Sequence, residues 1–274
     1  MKLELAINTD LARTILTGFI RSEVRRVGFE RVVIGLSGGI DSALVCVLAA
    51  EALGADNVFA LRLPYQSSSP DSLEHAQLII DQFKVRSETL DITPMVDPYF
   101  AHEGGISRER KGNIMARARM IVLYDYSYAH KSLVIGTSNK TEILLGYTTL
   151  WGDMASAINP IGDLYKTQVF QLSRALNIPE LIINKPPSAD LWIGQTDEGE
   201  LGFTYSEVDK LLLLLVDGRY RPEECVTAGF DEKFVQTVVT RIRRNQFKRM
   251  MPLIAKLSNR TVGYDFLYLR DWGT

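Results

Sequence analysis

Cysteine is nearly missing from this chain: there are two in 274 residues, Cys46 and Cys225, and no Cys-x-x-Cys pair. That excludes a disulfide framework. Histidine is equally scarce. His75, His102 and His130 have neither His-Glu-x-x-His nor any other metal spacing, and no Ser, His and acid set suggests a hydrolase, so all three read as structural. No apolar run approaches membrane-spanning length and Met1 to Asp10 has no signal-like stretch, which points to a cytoplasmic protein without a membrane partner. An excess of either charge is also lacking. With 31 Lys plus Arg against 33 Asp plus Glu, the net charge of −2 gives no general electrostatic basis for binding nucleic acid. The remainder is ordinary globular composition, 46 % hydrophobic and 23 % charged, enough for a substantial core.

Against that plain background, Val32 to Ala43 (Val-Val-Ile-Gly-Leu-Ser-Gly-Gly-Ile-Asp-Ser-Ala) stands out. A β-branched run from Arg31 to Leu36 has the length of a buried strand, and Ser42 to Leu53 is rich enough in Ala and Leu to be a helix. The turn between them lets the backbone approach a ligand at Ser37, Gly38 and Gly39. The first NH groups of the following helix, which lack intrahelical partners, then point at an anion such as pyrophosphate. Neither Gly-x4-Gly-Lys-Ser/Thr nor Gly-x-Gly-x-x-Gly is present, which disfavours the usual kinase, GTPase and dinucleotide readings. An acid takes the place of the lysine. Bare phosphate would repel Asp41, so its natural partner is a Mg2+ ion bridging phosphate oxygens. The competing reading is a helix-capping turn in which Ser37 or Asp41 satisfies backbone NH groups.

Ser37-Gly-Gly-Ile-Asp-Ser42 resembles the loop of the ATP pyrophosphatases, which cleave ATP to AMP and pyrophosphate while adenylating an oxygen. A second stretch, Val134 to Glu142, repeats the logic of strand, Gly-Thr turn and acid-bearing helix start. If the two ends face each other, Asp41 and Glu142 each supply a carboxylate to Mg2+ and Thr137 donates a hydrogen bond to ATP. First-turn capping is the alternative for Glu142. Lys166 opens a further helix, where the dipole disfavours a cation unless an anion is near. It suits a leaving pyrophosphate, against the reading of a surface lysine.

Strand-like runs at Arg31 to Leu36, Val58 to Leu63, Arg86 to Leu90 and Ser132 to Gly136 alternate with helical stretches at about Ser42 to Leu53, Pro70 to Phe83 and Ser107 to His130. This predicts an α/β fold, a doubly wound parallel sheet with helices on both faces and ligands beyond the strands' carboxyl ends. Asn8 to Gly28 predicts an amphipathic helix with Leu11, Ile15, Phe19, Val24 and Val27 on one face. C-terminal helices are expected at Asn139 to Leu145, Lys166 to Leu176, Tyr205 to Val216, Pro222 to Ala228 and Asp231 to Phe247. The stretch Gln195 to Glu200 is too polar to bury; it is either a flap over substrate, within 194–202, or a solvated loop. In the basic run Ser107 to Met120, Arg117 and Arg119 lie roughly 200° apart on a helix, so at most one faces a ligand, and Arg117 is preferred. The basic run Arg241 to Arg249 suits a helix C-terminus, while Lys248 is placed to close over a phosphate.

Taken together, these motifs with Lys111 to Met120, Gly136 to Glu142, Gly146 to Asp153, Pro160 to Gln168, Pro187 to Leu191 and Gln195 to Glu198 resemble the NAD synthetase family over nearly the whole chain. The resemblance implies a fold like that of the adenine nucleotide alpha-hydrolases. It also implies adenylation of the nicotinate carboxylate of deamido-NAD by Mg-ATP, release of pyrophosphate, and displacement of AMP by ammonia to give NAD. By resemblance, Gly35, Leu36, Ser37, Gly38, Gly39, Ile40, Asp41 and Ser42 hold ATP with Thr137, Lys166 and Ser188. Asp41 and Glu142 hold Mg2+, and Arg117, Asp153, Phe247 and Lys248 bind deamido-NAD. Many members carry Lys and Asp where this chain has Leu150 and Ala157, and another subgroup reads as this chain does. The residues before the first strand are too few for the amidase domain of glutamine-using relatives. Residues 1–274 are therefore expected to form a single domain that uses free ammonia or ammonia from a separate subunit, as a homodimer. A different ATP pyrophosphatase, a nucleotide-binding sensor and a nucleic-acid module are the rival readings.

Overall fold

The computed structural model describes residues 4–192 and 194–266. Four short strands, β1 (Arg31–Gly35), β2 (Val58–Arg62), β3 (Arg86–Thr89) and β4 (Ser132–Val134), form one parallel sheet in the order β3-β2-β1-β4. Successive residues of β1 face opposite ways. Val32 and Ile34 enter a core with helices α1 (Thr9–Arg26), α2 (Ile40–Leu53), α3 (Pro70–Phe83) and α7 (Lys166–Ala175). Val33 enters another with α4 (Thr93–His102) and α5 (Arg108–Ala129). Helices therefore cover both faces, as the alternating β and α runs imply. Among the described residues no helix is long and apolar enough to cross a membrane.

The register fixes where chemistry can gather. Val33 pairs with Val134 in the parallel β1–β4 ladder, so Gly35 and Gly136, each two residues further on, come side by side. The strand order also reverses here, because β1 is followed by β2 on one side while β4 joins on the other. Such a switch point opens a crevice between the two loops that leave it. α2 starts from the first loop. The second loop leads to α6 (Lys140–Leu145).

A separate apolar core joins α6 to the C-terminal helices α10 (Tyr205–Leu212), α11 (Pro222–Thr227) and α12 (Glu232–Arg244). α12 also caps α6. Arg249 donates to the carbonyls of Ile143 and Leu144 at 3.1 and 2.8 Å, and Arg241 and Asn245 each donate to Leu145 at 3.2 Å. The basic run thus satisfies the orphan carbonyls of a neighbouring helix.

Three expectations need correction. On α1, Leu11 and Ile15 are 56 % and 57 % exposed, and Phe19 and Val27 are exposed as well. Of the expected face only Val24 is buried; it packs with Ile20, and Ala12 and Leu16 are partly buried beside them. Two apolar stripes run along this helix at the same spacing, and periodicity alone does not say which meets the sheet. Secondly, α4 and the short α8 (Glu180–Ile183) and α9 (Asp197–Leu201) were not anticipated. Pro94 and Pro98 break the apolar pattern in α4, and the other two helices span scarcely more than a turn. Lastly, Leu213–Asp217 continues α10 as a π-helical turn rather than α-helix.

Gly38 has φ +78°, and a Cβ there would lie 2.1 Å from the Ser72 carbonyl oxygen. Both backbone strain and overlap oppose a side chain. Gly38→Ala is expected to lower stability by roughly 1–3 kcal/mol, measured as a shift in the urea midpoint.

Candidate active site

Between the two loops lies a cavity of about 480 Å³, within the usual size of a small-molecule site. Its floor is the first loop. Gly39 precedes α2 with no side-chain cap, which leaves the helix N-terminus open toward the cavity. Ser37 and Ser42 brace the turn themselves: Ser42 Oγ donates to the Gly39 carbonyl at 3.0 Å, Ser37 Oγ accepts from Gly39 N at 3.3 Å, and the two hydroxyls lie 3.1 Å apart. Asp41 does not cap the helix. It faces across the crevice.

There it meets Lys166, whose Nζ lies 2.5 Å from Asp41 Oδ2 and 3.1 Å from Glu142 Oε1. One ammonium, 2 % exposed, thus joins the carboxylates of both loops. The reading of Lys166 as a surface lysine fails, and the anion that its helix start required is a pair of acids. Asn139 completes the arrangement. Its Nδ2 donates to Asp41 Oδ1 at 2.9 Å, its Oδ1 accepts from Glu142 N at 3.0 Å, and its backbone N donates to Glu142 Oε2 at 3.3 Å. Glu142 therefore caps its helix with one oxygen, as the capping reading expects, and binds Lys166 with the other.

Beneath this centre is Asp209 on α10, completely buried. Its carboxylate accepts from Thr141 Oγ1 at 2.6 Å and from Thr167 N at 2.8 Å, and Thr141 Oγ1 accepts from Lys166 N at 3.0 Å. One side chain thereby ties the starts of α6 and α7, the helices that carry Glu142 and Lys166. Burial raises Asp209 above the usual carboxylate range. It also pushes Glu142 up to about 8, against the attraction of Lys166. For Lys166 burial works the other way, but Asp41 and Glu142 outweigh it and hold the ammonium protonated.

The stretch Gln195 to Glu200 is not too polar to bury. Gln195 and Asp197 are buried, and both line the cavity with Glu200. Each has a partner that offsets its desolvation: Gln195 Oε1 accepts from Leu191 N at 2.8 Å, Asp197 Oδ2 from the Tyr205 hydroxyl at 3.0 Å. Thr196 caps the short helix that follows.

Of the other sequence-derived candidates, Gly35, Leu36, Ile40, Thr137, Asp153, Ser188 and Lys248 line the same cavity. Asp153 accepts from Thr149 N at 2.6 Å. Lys248 binds the carbonyls of Gly146 and Thr148 at 2.7 and 2.6 Å, so it fastens the loop after α6 rather than standing free for a phosphate. Gly38 packs against Ser72 behind the loop. Arg117 and Phe247 are exposed outside the cavity, and Arg117 donates to the Leu150 carbonyl at 3.2 Å. The cavity-facing arginine of α5 is Arg119. Sequence reasoning missed Asn139, Asp197, Asp209 and Arg119. Asn139 left a signal as the first residue of an Asn-x-x-Glu capping box, Arg119 as the alternative to Arg117 and Asp197 within the Gln195 to Glu198 motif, while Asp209 left none.

Removal of the Lys166 ammonium leaves two carboxylates buried together. Lys166→Met is expected to cost about 3–5 kcal/mol at pH 8. Glu142 has a folded pKa above its ordinary 4.5, so its ionisation weakens the fold as pH rises from there to about 8. Without the ammonium that loss should continue beyond pH 8, so the deficit of the variant relative to wild type should widen above pH 8 in paired urea titrations.

Residues 13–252 match the family model described as NAD synthase. An NH(3)-dependent NAD(+) synthetase of Chlorobaculum tepidum is 56 % identical over 96 % of this chain and 95 % of that protein. Among solved structures, an NMN synthetase from Francisella tularensis matches with a TM-score of 0.82 at 32 % identity, over 92 % of this chain and all of that one. An NH3-dependent NAD synthetase from Campylobacter jejuni matches at 0.78 and 36 %, over 91 % of this chain and all of that one. With matching motifs on both sides of the crevice, this chain belongs to the NAD synthase family.

Proposed function

We propose that this protein is an ammonia-dependent NAD synthetase, which joins deamido-NAD and ammonia at the expense of ATP. The observation that carries the reading is Lys166 shared between Asp41 and Glu142 at the junction of the two loops. A carboxylate is a poor acyl donor because its leaving group would be oxide. The reaction divides that step in two. A nicotinate carboxylate oxygen attacks the α-phosphorus of ATP and expels pyrophosphate; ammonia then attacks the carboxyl carbon of the mixed anhydride, AMP leaves, and a proton is lost. No nucleophilic side chain is needed, in keeping with a cavity that has neither cysteine nor histidine along its walls among the described residues.

The chain's own residues have three tasks. The open N-terminus of α2 with Ser37 and Gly39 receives the triphosphate. Lys166 supplies positive charge close to the leaving pyrophosphate. Thr137 and Ser188 align ATP from one side, and Asp153 and Lys248 shape the dinucleotide side from the other, so that carboxylate and α-phosphorus meet in line. Arg117 and Phe247, at the exposed rim, reach only the outer part of a bound dinucleotide.

Asp41 and Glu142 suit Mg2+, because they bring hard carboxylate oxygens from two loops to one point beside the open helix end. Such an ion would neutralise phosphate charge as pyrophosphate departs. Chlorobaculum and Campylobacter relatives named for NH3 dependence support free ammonia as the nitrogen source, whether dissolved or released by a separate subunit. The Francisella relative named NMN synthetase makes the nicotinic acid mononucleotide a second acid to compare. We assign residues 1–274 to one catalytic unit acting in the cytoplasm, without nucleic acid or membrane partners. It acts as a homodimer, a reading supported by Ile121, Tyr124 and Tyr128, all exposed along α5.

With Mg-ATP and deamido-NAD, ammonium is expected to support formation of NAD and AMP in equal amounts, and glutamine alone is not. Asp41→Ala and Glu142→Ala should each abolish pyrophosphate release while the circular dichroism spectrum keeps its folded form. Full activity in either variant would remove it from the metal site, and a preference for the mononucleotide would reassign the substrate. Sedimentation equilibrium should give twice the chain mass, and Tyr128→Glu should reduce it to a monomer.

A further inference from the structure

The geometry points to Arg119 as the cation that receives the anionic oxygens of substrate where carboxylate and α-phosphate meet. Along α5, Glu109, Asn113, Ala116, Arg119 and Leu123 form the stripe that faces the cavity. Arg119 Nε donates to the Leu63 carbonyl at 2.9 Å, beyond the end of β2. That single bond fixes the plane of the guanidinium. Its two Nη groups have no hydrogen bond, and no carboxylate lies within ion-pair distance among the described residues.

A partly buried cation in a cavity wall without a counterion is costly, unless one arrives with the ligand. Burial lowers the Arg119 pKa, and the acids that act on it are Asp190 and Asp153. Both are already engaged. Asp190 accepts from Ser72 Oγ at 2.8 Å and from Ser69 N at 3.2 Å, and Asp153 accepts from Thr149 N. They also bracket the two halves of the cavity, since Asp190 follows Ser188 on the ATP side and Asp153 belongs to the dinucleotide side. Arg119 therefore stands between the places assigned to the two substrates.

Each of the other cations of the cavity wall has a side-chain or carbonyl partner, although Arg62 Nε is buried without one. Lys166 is held by two carboxylates, Lys248 by two carbonyls, Lys185 by Ser72 Oγ and Arg62 by Gln77 Oε1. Adenylation brings an anionic carboxylate against an anionic phosphate, and that repulsion must be neutralised where it arises. A planar guanidinium with two free Nη groups can hold one oxygen of each, or both oxygens of one. The ligand chemistry is thus a carboxylate or phosphate oxygen. The inference rests on the proposed amidation and deepens it, adding Arg119 to the residues that touch substrate.

Wild-type turnover is measured first, because its absence would refute the amidation and not the contact. With turnover established, Arg119→Ala should lower kcat about a hundredfold, methylguanidinium should restore part of it, and Arg119→Lys should fall between. Calorimetric titration separates the sources. A weaker deamido-NAD affinity with unchanged ATP affinity assigns the carboxylate, and the reverse assigns the α-phosphate. Crystals of the wild-type protein with a non-hydrolysable ATP analogue and deamido-NAD provide a reading that does not depend on the variants folding. A carboxylate or phosphate oxygen within about 3.2 Å of an Nη atom is expected. An Nη pair left without such an oxygen in that complex, or kcat within threefold of wild type in both variants, would overturn the assignment.

Discussion

Everything in this molecule converges on one buried ammonium. Lys166 lies at the start of a helix, where the peptide dipoles oppose a cation, and it is withdrawn from water where solvation cannot help. Two carboxylates from different loops hold it there. Because those loops leave neighbouring strands on either side of the point where the sheet order reverses, the ion pair works only if β1 and β4 are paired in register. Sheet topology and site electrostatics are thus a single constraint.

Buried ion pairs seldom favour stability by themselves, since desolvation removes most of the Coulombic gain. In this fold the surroundings make up the difference. Asn139 satisfies both acids at once, and Asp209 anchors the two helix starts through Thr141 and Thr167. The result is a rigid centre of two acids and one ammonium beside an open helix end that attracts anions.

Much of this was legible in the sequence, for identifiable reasons. The buried strands and α3 announce themselves because an apolar run of strand length has few alternatives, and Pro70 marks the start of a helix. Asp41 and Glu142 were legible because glycine-punctuated turns with an early acid have few structural uses. What remained hidden depended on distance in space. Asp209 sits in an ordinary amphipathic helix, and nothing along the chain links it to Thr141, 68 residues earlier. Arg119 and Arg117 occupy one helix two residues apart, and only packing against the sheet decides which of them turns inward. The two apolar stripes of α1 posed the same problem. Burial of Gln195 and Asp197 went unseen because polarity forecasts exposure only when partners are out of reach, and Tyr205 was in reach.

The clamp on α6 by the end of α12 and the turn after it has a consequence for the order in which the protein is made. The strands, the loop after β1, Asp41 and Glu142 all precede the end of α6, yet the carbonyl end of that helix is held, besides its own Gly146 cap, by Arg241, Asn245 and Arg249. A ribosome-bound nascent chain can assemble its sheet long before that seal emerges. A chain cut before Arg241 would keep its sheet and leave that helix end open.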